Sequence, residues 1–61
     1  GTAYWQDLIT RGKSQEVLNY ADIKALNNAV NFCNLVYTQL SPYQVKEIIA
    51  VVAKLKENGI E

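Results

Sequence analysis

Gly12-Lys13-Ser14 is the one stretch of this 61-residue sequence whose residue types could wrap a phosphate. A P-loop needs a further Gly five residues earlier, so that consecutive backbone amides can turn around the anion, and that position holds Asp7. The same three residues are explained by a helix stop at Gly12 followed by a Ser cap at Ser14. Nucleophilic catalysis would fall to Cys33 or to a hydroxyl beside a general base, yet the chain contains no His. Carboxylates are spread singly; the one pair at helical spacing, Glu57 and Glu61, sits at the chain end, where fraying would spoil a metal site. The expectation is therefore a protein that is not an enzyme, with no catalytic residue, no metal, no cofactor and no small-molecule substrate. A chain of this size also has little room to enclose one.

The remaining polar chemistry is an uncharged stripe. Tyr20, Lys24, Asn27, Asn31, Asn34 and Thr38 step by four and three, which places them on one side of a helix. Asn costs a helix roughly 0.5 kcal/mol or more relative to Ala, so three in register are either tolerated on a solvated flank or useful there. A useful role would be pairing of side-chain amides with another helix or an extended peptide. Exposed Tyr is enriched in contact surfaces, and Tyr20 and Tyr43 read as outward. The candidate partner-binding residues are accordingly Tyr20, Asn27, Asn31, Asn34 and Tyr43.

Three helices position these residues, spanning about 3–11, 20–40 and 42–58. The last is the best signalled: Ser41 as cap, Pro42 at the first helical position, Gln44 completing a capping box, and Leu40 with Val45 as a hydrophobic staple. Val45, Ile48, Ile49, Val52 and Leu55 then share one face, Lys46, Glu47, Lys54 and Glu57 the other, and Gly59 supplies a left-handed cap. The middle helix begins at an Asn19 cap with Asp22 three residues on and Leu18 with Ile23 as staple. Its main stripe is Ile23, Leu26, Val30, Cys33, Tyr37 and Leu40; Ala21, Ala25, Phe32 and Leu35 form a second apolar side, as the central member of a bundle requires. The first helix carries Trp5, Leu8 and Ile9 and stops at Gly12, and a further short turn can start at Ser14 before a break. The expected fold is an all-α, small three-helix bundle, four with that short turn. The expected core is Leu8, Leu26, Val30, Ile48 and Leu55 with the rest of these stripes, including the aromatics Trp5, Phe32 and Tyr37.

Composition narrows the partner. Six Lys/Arg balance six Asp/Glu with no block of either sign, which leaves no basic footprint for nucleic acid or an anionic membrane. No apolar run approaches the roughly 20 residues needed to span a bilayer. A single Cys cannot make an internal disulfide, and an intracellular, cytoplasmic setting is the simpler expectation. Gly1-Thr2 has the character of a cloning scar, which would make this a single helical domain, 1–61, excised from a larger protein.

Burial at about 25 cal/mol per Å² only roughly balances ordering entropy in a scaffold this small, so contact with another surface is an expected source of stability. These features lead to a non-enzymatic helical interaction or oligomerisation module, accessory to a larger protein, with a protein partner (self or another chain). The alternative is a nucleic-acid-associated, helix-turn-helix-like domain led by Tyr43, Gln44, Lys46 and Glu47, although Glu47 would repel phosphate. Trp5, Leu8 and Gly12, the capped helix from Ser41, Lys54 and the closing Gly59-Ile60 loosely resemble helical appendages at the C-terminal ends of bacterial phage-resistance and DNA-processing proteins. That resemblance implies an accessory role beside an enzyme and assigns no site residue.

Overall fold

In a computed structural model describing residues 1–34 and 39–60, three helices run in chain order: α1 (Thr2–Ser14), α2 (Tyr20–Asn34) and α3 (Pro42–Glu57). No strand occurs among the described residues, and the architecture is the all-α bundle expected. α2 packs against both α1 and α3, and so takes the expected central place.

The cap chemistry works as the spacing predicts. Ser41 Oγ accepts from the Gln44 amide at 3.1 Å while Gln44 Oε1 accepts from the Ser41 amide at 2.9 Å, closing the box at the start of α3. Asn19 and Asp22 repeat the device at α2: Asn19 Oδ1 accepts from the Asp22 amide at 2.9 Å, and Asp22 Oδ2 from the Asn19 amide at 3.2 Å. Asp22 also holds the Lys54 ammonium at 2.5 Å, tying the first turn of α2 to the last turn of α3. Lys54 is thus an interhelical residue, although its position on the polar side of α3 gave no sign of it.

α1 and α3 stop in the same way. At α3, Gly59 takes φ 75° and the Ile60 amide donates back to the Leu55 carbonyl at 3.0 Å, with the Gly59 amide on Lys56. At α1, Glu16 takes φ 57° and the Val17 amide donates to the Gly12 carbonyl at 3.0 Å, with the Glu16 amide on Lys13. Both are Schellman motifs, in which a left-handed residue lets the chain return over the last carbonyls. The expected stop at Gly12 is therefore corrected: α1 continues two residues further, and Ser14 is its last residue rather than the cap of another turn. Gly12 has a packing reason instead. A Cβ there would lie 2.4 Å from Leu18 Cδ1 and 3.3 Å from Leu55 Cδ2, so its bare backbone admits Leu18 where the chain crosses from α1 to α2.

The core is aliphatic. Leu8, Leu26 and Leu55 are fully buried, joined by Ala25, Ala29, Val30, Ile48, Val51 and Ile60; Trp5, Ile9, Val17, Leu18, Leu40 and Val52 pack around it half-buried. Several core expectations are corrected. Cys33 is exposed at the end of α2, Phe32 is 50% exposed, and Val45 and Ile49 are exposed on α3. On α3 the buried set Ile48, Val51 and Leu55 is turned by roughly 60° from the expected face, taking 100° per residue. Ala21 on the second side of α2 is also exposed. Gln39 and Leu40 are not helical, so α2 does not reach residue 40; Leu35, Tyr37, Thr38 and Glu61 lie outside the described residues.

Candidate functional site

Two concavities flank the contact of α2 with α3. The first, about 250 Å³, is bounded by Trp5 of α1, Phe32 and Cys33 of α2, and Val45 and Ile49 of α3, with Leu40 at its edge. Ala29 and Ile48, both core residues, line it too. Among the described residues no charged side chain contributes. Its apolar character follows from the rotation of α3: turning Val51 inward turns Val45 and Ile49 outward, and Ile49 is left 62% exposed. The edge-on contact of the Tyr4 and Trp5 rings, 5.0 Å apart at 81°, steadies the α1 side.

The second concavity, about 320 Å³, is polar at its rim. Tyr20, Lys24 and Asn28 line it from α2, Tyr43 and Glu47 from α3, and Ala21 and Ala25 are the small residues between. Tyr20, 82% exposed, and Tyr43, 70% exposed, are as outward as their positions suggest. The fold places these two residues, 23 positions apart, along a single groove whose walls are α2 and α3.

Of the other candidate residues, Asn27 and Asn31 are exposed on α2 but line neither groove. Asn34 is exposed and its Oδ1 accepts from the Thr2 hydroxyl at 2.8 Å, so it serves the junction of α1 with α2. Tyr20 and Tyr43 share the polar groove with Lys24, another member of the stripe, while Asn34 is engaged within the chain. The sequence marks Phe32, Val45 and Ile49 as apolar and points them to the core, whereas all three are exposed. Their exposure depends on which face of α3 meets α2, which periodicity alone leaves open.

Among the described residues no group of three His, Cys, Asp or Glu side chains comes together as a metal site would require, and no helix is long and apolar enough to cross a membrane. Among the leading residues of α3, Gln44 commits its amide to the capping box, and Tyr43 and Glu47 line the polar groove. No protein-family model, curated protein or solved structure matches the chain.

Proposed function

We propose that this chain is a non-enzymatic helical module for protein–protein interaction, acting through a partner that presents apolar side chains. The observation that carries the reading is the cluster of exposed Phe32, Val45 and Ile49 around one uncharged concavity. Scattered exposed apolar residues are ordinary, but several gathered at one groove mark surfaces that other molecules cover. A small bundle that leaves such residues exposed forgoes burial it could use, and a partner would return it.

The test separates a contact surface from a structural one. Phe32→Ser and Ile49→Ser are expected to keep the denaturation midpoint within about 0.5 kcal/mol, since neither residue is in the core. A photoreactive amino acid placed at position 49 is expected to give a discrete adduct with a protein in cells that make the chain, and Phe32→Ser to abolish it. A large loss of stability in the serine variants, or the absence of any protein adduct, overturns the proposal.

A further inference from the structure

Lys24 and Glu47 line the polar groove from its two walls, one from α2 and the other from α3. Neither belongs to either of the two ion pairs formed among the described residues, Arg11 with Asp7 and Lys54 with Asp22. The groove therefore carries one positive and one negative side chain that share a surface without neutralising each other. An isologous two-fold contact joins a patch to itself, so that residue i meets residue j of the other copy and j meets i. A patch bearing only one sign would set like charges against each other in such a contact. A patch bearing one of each sign on opposite walls can set opposite charges together twice.

From this we infer that the polar groove is the contact surface of a homodimer, in which Lys24 of each copy pairs with Glu47 of the partner subunit. The rest of the groove suits the role. Tyr20 and Tyr43 stand exposed at its rim, and tyrosine supplies large contact area at low entropic cost. Ala21 and Ala25 keep the α2 wall low enough for another chain to approach. The apolar groove, by contrast, holds among the described residues no charge that would select an occupant or fix a register. The homodimer goes beyond the interaction proposed for that groove and stands on different residues.

Sedimentation equilibrium of the 61-residue chain across a concentration series tests it, with circular dichroism confirming the fold of each variant. The native chain is expected to dimerise. Lys24→Glu and Glu47→Lys are each expected to raise the dissociation constant at least about tenfold, because two like-charged contacts replace two opposite ones. An equimolar mixture of the two variants is expected to restore native association, since the heterodimer regains both opposite pairs. A native chain that stays monomeric at every concentration overturns the inference. So does a dimer unaffected by either charge reversal, and loss of that dimer in Phe32→Ser would assign it to the apolar groove.

Discussion

Glu16 occupies the left-handed backbone region at φ 57°, where a side chain meets its own carbonyl and costs roughly 1–2 kcal/mol. The equivalent position at the end of α3 is Gly59, which takes φ 75° without that cost. Glu16 is exposed, and its side chain makes no hydrogen bond or ion pair among the described residues, so replacing it removes strain and none of those contacts. Glu16→Gly is therefore expected to stabilise the protein by about 1 kcal/mol, part of the relief being offset by glycine's greater freedom when unfolded. An unchanged or lower urea midpoint would contradict this reading of the α1 terminus. The residue that looks like the stop, Gly12, lies four positions earlier and is read correctly only once Leu18 is seen to occupy the space beside it. Glycine in a sequence signals that backbone must be bare or left-handed; which of the two applies depends on what approaches it.

At the scale of elements, the reciprocal bonds of Ser41 and Gln44 make the start of α3 local chemistry, independent of the neighbouring helices. Ser41→Ala is expected to cost about 1 kcal/mol, read as a lower denaturation midpoint with little change in helix content at neutral conditions. No change would mean that water satisfies the freed amide as well as the hydroxyl does. Helix starts at Asn19 and Ser41 and the glycine cap at Gly59 were all legible, because each is decided by residues within five positions of one another. The burial faces were less legible. Val45, Ile48, Ile49, Val51, Val52 and Leu55 surround much of α3 with apolar side chains, so more than one stripe can be drawn through them. Packing on α2 selects Ile48, Val51 and Leu55, and Val45 and Ile49 become surface as a consequence.

For the molecule as a whole, a radius of gyration of 11.0 Å is close to the roughly 10.5 Å expected of 61 compactly folded residues. Stability at about 0.05–0.15 kcal/mol per residue gives a total of only about 3–9 kcal/mol. Leu55 is fully buried beside the Gly12 crossing and in the same cluster as Leu8, Leu26 and Ile60. Leu55→Ala is expected to cost about 2–5 kcal/mol, a large share of that total, and to leave a substantial unfolded fraction by far-UV circular dichroism on mild heating. A loss below about 1 kcal/mol would show that the three helices do not share one cooperative core.

Sequence alone determined the helical class, the number and order of the helices, the α2 and α3 caps and the leucines at the centre, since capping and helical periodicity act over one or two turns. Tertiary structure alone decided that α1 runs past Gly12, that Lys54 reaches Asp22, and that Cys33, Phe32, Val45 and Ile49 face outward. It also decided that Tyr20 and Tyr43 line one groove with Lys24 and Glu47 between α2 and α3. The physical reason is common to these cases. A helix with more apolar surface than one neighbour can cover must choose a face, and that choice is made by the shape of the neighbour rather than by the helix's own residues.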